Sequence, residues 1–370
     1  MTGLEAVEPF EARRAVERLR SGLFDPLVVR LMTAGGERLA AVGGFDESPP
    51  DHLCVCGAYG QGKSHSLQFL MDRALEHGYA ASMVTLDPRE IPFHRPRLVY
   101  RALLRGLRFP DGEQDFVRRW RAVVAERSPG DPEALLPEGT PRGLRLELGA
   151  LVRPTDALSP AQRAQKQHRN YNPRAFPHHL RRALAGEVVP VNRVRHALRY
   201  RQVPDRRGPL AWRGSAAMLA RSRALARLLQ DMGLKGWMTL FDEGESMAQV
   251  RSTSRRNAWE ALSLWTEPAP GLLPVFAFTE DLLQRMEEDG EGALRRRLKV
   301  YTLGDLSPAD WRRLSGLLGH LHGRAYGWRP DPESGRADLE RRLAALGGVE
   351  TRLALKALVD ELDLQEQARR

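Results

Sequence analysis

Cysteine is nearly absent from this chain: Cys54 and Cys56 are the two among 370 residues. Thiols one residue apart cannot form a disulfide framework and are too few for a tetrahedral zinc site, so buried free thiols are expected. Long apolar runs are missing as well. No uncharged stretch nears the roughly 18 residues a membrane span requires, and the start, MTGLEAVEPFEARRAVERLR, has no apolar segment behind a basic cluster. A cytoplasmic protein with no membrane partner is expected. Internal repeats are lacking too, and lysine is scarce, arginine supplying nearly all the positive charge. What remains is an ordinary globular composition, 42% hydrophobic, long enough for a sizeable core and for two domains.

The formal charge is +10, and its distribution says more than its total. Between Leu151 and Arg213 there are 14 Lys+Arg against 3 Asp+Glu, a surplus that matches the net charge of the whole chain. The rest is close to neutral. Such a block is an electrostatic footprint for a phosphate backbone, with Arg181 and Arg182 as representative contacts, and DNA is the expected partner. A solvated insertion or a docking surface for an acidic protein reads the same. Its aromatics, Tyr171, Phe176, Tyr200 and Trp212, are candidates either for stacking on bases or for anchoring a core.

Three glycines, a lysine and two serines crowd into CGAYGQGKSHSL, Cys56 to Leu67. Before it, HLCVC follows the turn-forming ESPPD and reads as a buried strand. After Ser64, the apolar residues Leu67, Leu70, Met71, Ala74 and Leu75 recur at helical spacing until Gly78. Strand, glycine loop and helix therefore follow in order, and Gly57, Gly62, Lys63 and Ser64 satisfy G-x-x-x-x-G-K-[ST], the Walker A pattern. Backbone amides at a helix start can wrap a polyphosphate where no Cβ intervenes, which explains Gly57, Gly60 and Gly62. Ala58, Tyr59, Gln61 and His65 complete the predicted ATP-binding loop. Lys63 is expected to reach the β- and γ-phosphates, and the Ser64 hydroxyl to ligate Mg²⁺.

A second carboxylate source is needed, and GLKGWMTLFDEGESM supplies one. Trp237 to Phe241 is a strand candidate ending in Asp242 and Glu243, the form of a Walker B motif. Asp242 would hold Mg²⁺ through water and Glu243 would polarise the attacking water. A third strand candidate, GLLPVFAFTED, ends in Thr279, a polar residue where such ATPases place a γ-phosphate sensor. Arg295, Arg296 and Arg297 then precede the strand-like LKVYTL and a helix start at Ser307. That is the layout in which AAA+ proteins present an arginine finger to a neighbouring subunit, Arg297 ahead of the other two; a solvated helix end is the alternative. Near the end, TRLALKALVDEL is amphipathic, with Leu353, Ala357, Leu358 and Leu362 at core spacing. Arg352 at its start stands where AAA+ lids carry a second sensor; a plain surface arginine of the lid reads the same.

Together, CGAYGQGKSHSL, LLQDMGLKGWMTLFDEGESM, VRSTSRRNAWEAL and TRLALKALVDEL resemble the BREX-associated ATP-binding proteins of the BrxD group. These are bacterial P-loop ATPases related to the Orc/Cdc6 branch of AAA+ and found in phage-defence gene clusters. The resemblance covers residues 10 to 108 and 210 to 365. It implies an α/β fold, an ASCE-type parallel sheet flanked by helices and followed by a small helical lid. The expected division is an N-terminal helical segment (1–50) packing on the core, an ATPase domain (51–303) with a basic insertion at about 109–209, and a lid (304–370). Phe10 to Gly22 would be a helix beside the nucleotide base. The insertion shows no assignable period, and no room is expected for the winged helix that Orc-type relatives use on duplex DNA.

The expected function is ATP hydrolysis with Mg²⁺ by a homo-oligomer, ring or helical, that binds DNA in anti-phage defence, alongside a helicase or nuclease partner. The alternative is a nucleotide-gated scaffold that recruits such a partner with little turnover. Glu243 favours the first, because a scaffold needs no water-activating carboxylate. A GTPase is disfavoured by the lack of an N/T-K-x-D base-reading motif.

Overall fold

A computed structural model describes residues 6–23, 25–45, 49–128, 131–153, 175–201, 203, 210, 214–329 and 350–369. At its centre is a five-stranded, all-parallel sheet: β1 (Leu53–Cys56), β2 (Ala80–Thr85), β3 (Trp237–Asp242), β4 (Leu272–Phe278) and β5 (Val300–Thr302), in the order β2-β3-β4-β1-β5. The protein is thus α/β, as expected. β2, which lies at an edge and pairs with β3 from Ala80↔Trp237 to Thr85↔Asp242, is the strand the sequence analysis does not single out. Within β1 the side chains alternate between two cores: Cys54 and Cys56 face one, Leu53 and Val55 the other. Burial on both faces explains why β1, β3 and β4 read as continuous apolar runs. Both thiols are free and buried, and burial pushes the Cys54 thiol up.

Four short helices lead into or follow the first strand: α1 (Pro9–Arg20), α2 (Pro26–Met32), α3 (Gly36–Gly43) and α4 (Lys63–Glu76). α3 and α4 cover the face of Leu53 and Val55. The opposite face carries α5 (Pro96–Arg105), α6 (Phe116–Arg127), α7 (Arg142–Val152), α8 (Ala175–Leu184), α9 (Val191–Tyr200), α10 (Gly214–Asp231) and α11 (Ser252–Trp265). Its apolar contacts run unbroken from Phe276 and Trp237 to Trp120, Leu148, Leu180 and Leu198. The described part of the basic stretch at 109–209 is therefore helical and shares the core of the sheet. Its periods are short because each helix has about three turns, with apolar positions such as Phe176, Leu180 and Ala183 at i, i+4 and i+7. Phe176 is a core anchor, 5% exposed; Tyr171, Trp212 and the Tyr200 side chain lie outside the described residues.

The remaining helices are α12 (Glu280–Glu288), α13 (Gly292–Arg297), α14 (Pro308–Tyr326) and α15 (Thr351–Gln367). α14 starts in a reciprocal capping box between Ser307 and Asp310. α1, which starts with Pro9 and buries Ala12, Ala15, Val16 and Leu19, forms its core with α14 and α15, while α2 and α3 touch α4. Arg20 fastens this unit with an ion pair to Asp363, 2.8 Å. Asp363 also accepts from Nε2 of the buried His322, whose Nδ1 accepts from the Trp328 indole. Among the described residues no helix is long and apolar enough to cross a membrane.

Candidate functional site

Parallel strands place their following loops at one end of the sheet, and the two acidic and glycine-rich loops lie there. The loop after β1 turns through Gly60 (φ +76°) and Gly62 (φ +100°), a left-handed backbone that side chains disfavour. Gly60 is also crowded: a Cβ there would sit 2.7 Å from the Glu350 carboxylate at the foot of α15. Gln61 folds back to accept from the Ala58 amide, 2.7 Å, and donates to Asp305 at 3.4 Å. α4 then begins at Lys63 with no side chain capping its first amides. Those amides and the positive end of the helix dipole form an anion cradle.

The Lys63 side chain is buried, 8% exposed, and its ammonium donates to the Gly57 and Ala58 carbonyls at 3.1 Å each. It also lies 3.8 Å from the carboxylate of Glu245. His65, on the same helix turn, has its Nε2 2.8 Å from the Thr33 hydroxyl, which donates to the Val29 carbonyl; the imidazole Nε2–H is therefore the donor in the first contact. Burial holds the His65 imidazole down to about 4, so it is neutral at physiological pH.

Asp242 is the last residue of β3, buried, and accepts from the Glu243 amide at 2.9 Å. Glu243 has φ +56°; among the described residues no other side-chain-bearing residue has positive φ. The cause lies next door. Gly244 is pressed on β4, where a Cβ would meet the Ala277 carbonyl at 2.4 Å, so the chain must turn sharply as it leaves β3. This turn swings Glu243 into the cleft. Burial first, then the neighbouring charges of Glu245 and Asp242, push the Glu243 carboxyl up, against the opposing pull of Lys63 and Arg352.

Lys63, Ser64, Asp242, Glu243, Glu245 and Arg352 line one cleft of about 280 Å³. Its other end is apolar, formed by Leu19, Val28 and Met32 from the N-terminal helices and by Leu306, Leu314 and Leu355. The N-terminal helix expected beside a base does border this end, through Leu19 and Gly22. Arg352 closes the cleft over the glycine loop: its amide donates to the Gly60 carbonyl (3.3 Å) and its guanidinium to the Tyr59 hydroxyl (3.1 Å), 5.1 Å from that ring's centre.

Thr279 and Arg297 stand apart from this group. Thr279 follows β4, but its hydroxyl caps α12 by accepting from the Leu282 amide, and it does not line the cleft. Arg297 is spoken for within its own chain: it donates to the Ser263 carbonyl, the Ser263 hydroxyl and the Thr266 hydroxyl at the end of α11, 2.9 to 3.1 Å. Arg295 pairs with Glu287. Arg296 is exposed and makes no ion pair among the described residues.

Two residues of this region escape the sequence analysis, one lining the cleft and one behind its glycine loop. Glu245, the third carboxylate of FDEGES, shares its ammonium partner Lys63 with the loop carbonyls, and its Oε2 is buried with no hydrogen-bond partner. Glu350 backs the glycine loop. The first could be noticed as one more acid in the same turn; the second owes its place to the fold of the distant α15.

A Mg²⁺ ion suits the donor set. The Ser64 hydroxyl and the Asp242 carboxylate are hard oxygen ligands on one cleft, and Asp242 has no cation partner among the described residues. Mg²⁺ takes few protein ligands and shares the rest with phosphates and water.

Residues 50–127, which hold the glycine loop, α4, β2 and α5, match the family described as BREX system ATP-binding protein BrxC/D. No curated protein and no solved structure matches the chain.

Proposed function

We propose that this chain, a BrxC/D-type ATP-binding protein of the BREX system by its residues 50–127, hydrolyses ATP as an AAA+ enzyme of the ASCE class and assembles with copies of itself on DNA in phage defence. The observation that carries the reading is the convergence of Lys63, Ser64, Asp242, Glu243 and Arg352 on one cleft from three separate chain segments. The order of strands supports it: β4 lies between the glycine-loop strand and the acidic strand, the additional-strand arrangement of water-activating P-loop enzymes.

In this mechanism the α4 amides and Lys63 hold the phosphate chain, Lys63 leaving its loop carbonyls to meet the negative charge. Ser64 and Asp242 would hold the Mg²⁺, which when bound offsets charge developing between the phosphates. Glu243 takes the proton of the attacking water; its raised pKa makes it a stronger base than a free carboxylate. Arg352 reaches the phosphates from α15 and so couples the lid to the nucleotide. Among the three arginines after α12, Arg296 rather than Arg297 is the one free to reach a neighbouring subunit.

The test separates binding from chemistry. Lys63→Ala should weaken ATP binding by on the order of 100-fold, whereas Glu243→Gln should bind ATP as the wild type does and lose about 10²- to 10⁴-fold in phosphate release. The second variant should fold, because it removes a charge that burial and two neighbouring carboxylates already disfavour. Wild-type turnover in Glu243→Gln would take this residue out of the mechanism. A wild-type protein that binds ATP and releases no phosphate, alone or with DNA, would favour the nucleotide-gated scaffold.

A further inference from the structure

The positive charge of the helical layer is spent in two different ways. Between residues 175 and 201 there are six arginines and three histidines against one acid, Glu187. Arg181 and Arg182, the contacts singled out from sequence, are half-exposed but already paired with carboxylates: Arg181 with Asp115 at 2.9 Å, and Arg182 with Glu187, which also holds Arg105. Arg201 is buried and donates to the Arg153 carbonyl. α9 is the contrast. It buries Val194, Ala197 and Leu198 against α7 and α8 and turns Asn192, Arg193, Arg195, His196 and Arg199 outward. Arg193 and Arg199 are exposed and in no ion pair among the described residues, and no acidic residue lies on the helix.

We propose that the outer face of α9, with Arg193 and Arg199 as its anchoring charges, is a docking surface for the phosphate backbone of duplex DNA. The inference rests on the reading of DNA as a partner and assigns it a place. By helical geometry Arg193 and Arg199 lie about 9 Å apart along the axis and about 120° apart around it, on either side of the exposed His196, so they would meet different phosphates of one duplex. The field extends beyond them: Arg193, His178 and Arg182 all act, after burial, to hold the imidazole of His179 in its neutral form. A duplex is favoured over a single strand because, among the described side chains, the outer face carries the imidazole of His196 but no Phe, Tyr or Trp, and single-strand binding relies on stacking platforms. DNA, rather than duplex RNA, is the partner that the proposed function names. Contacts to phosphate make the binding independent of sequence.

Fluorescence anisotropy with a 30-base-pair DNA duplex, run over a range of salt concentrations, tests this. Arg193→Glu with Arg199→Glu should weaken binding by about tenfold or more and lower the log-log salt slope by about 1.8, two contacts' worth. Arg193→Gln with Arg199→Gln, which adds no repulsion, should show the same loss of slope with a smaller loss of affinity, and guards against misfolding of the first. Wild-type affinity and slope in both variants, with wild-type binding intact, would overturn the place assigned here while leaving DNA as a partner. No duplex binding by the wild type at low salt would overturn both. Tighter binding of single-stranded DNA or of duplex RNA by the wild type would overturn the duplex-DNA assignment.

Discussion

The cleft at the strand ends and the helical layer on the far face of the sheet treat charge in opposite ways. In the cleft, Asp242, Glu243 and Glu245 share the lining with Lys63, whose ammonium lies 3.8 Å from Glu245, and one oxygen of Glu245 is buried without a hydrogen-bond partner among the described residues. In the helical layer each of four carboxylates has an arginine partner, Glu147 with Arg221, Glu133 with Arg153, Asp115 with Arg181 and Glu187 with Arg182, although one oxygen of Glu133 is likewise buried without a hydrogen-bond partner among the described residues. Unbalanced charge costs stability unless something arrives to balance it. The cleft thus gathers acids around one lysine, whereas the layer matches its acids with arginines. The surplus of the layer goes outward, on α9.

The largest break in that comparison is at the buried pair. Arg221 and Glu147 are 1% and 5% exposed. Glu147→Ala would strand a guanidinium in the core, and denaturant unfolding should show a loss of about 3–5 kcal/mol. Replacing both residues together with apolar ones of similar volume should restore most of it, since neither charge is then left alone. A loss below about 1 kcal/mol in Glu147→Ala would show that the pair is already compensated by water.

A smaller change sharpens the comparison from the other side. Glu245→Gln removes one of the crowded cleft charges without emptying the space. Lys63 then has one competitor fewer for its ammonium, and ATP should bind about two- to fivefold more tightly. The pH dependence carries the sign. Glu243 acts as a base only above its own raised pKa, so turnover falls as pH drops through it. Without the Glu245 charge that pKa descends, and the acid limb of the rate profile should move to lower pH. An unmoved limb would mean that Glu243 does not sense Glu245.

The smallest effects concern the arginines after α12. Arg297→Ala removes three hydrogen bonds from the end of α11, yet the group is exposed, so thermal unfolding should report about 1 kcal/mol or less. Arg296→Ala should leave stability within about 0.5 kcal/mol of the wild type. If subunits share active sites, mixing Arg296→Ala with Glu243→Gln protein should restore some turnover that neither has alone. Rescue by Arg297→Ala instead would reverse the assignment of the two.

The glycine loop and the acidic strand end were legible because their chemistry is local. A loop that must wrap phosphate needs glycine at positive φ, an uncapped helix start and a lysine within reach, and these fall within eight consecutive residues, Gly57 to Ser64. Asp242 and Glu243 follow from the same logic at the end of an apolar run. Arg352 was legible from its place at the start of an amphipathic helix, although its contact with Tyr59 was not.

By itself, then, the amino-acid order determined that this is an α/β protein with a phosphate-binding loop, an acidic strand end and free buried thiols, because each is written in neighbouring residues. Only the tertiary structure decided the rest. It brought Glu245 to Lys63 and Glu350 to Gly60, paired Arg181 and Arg182 with Asp115 and Glu187, tied Arg297 to α11, and joined the helices of the basic stretch to the core of the sheet. Those are contacts between segments far apart in the chain. Whether an arginine is spent inside or offered to a partner depends on which acid the fold carries to it, and composition does not record that.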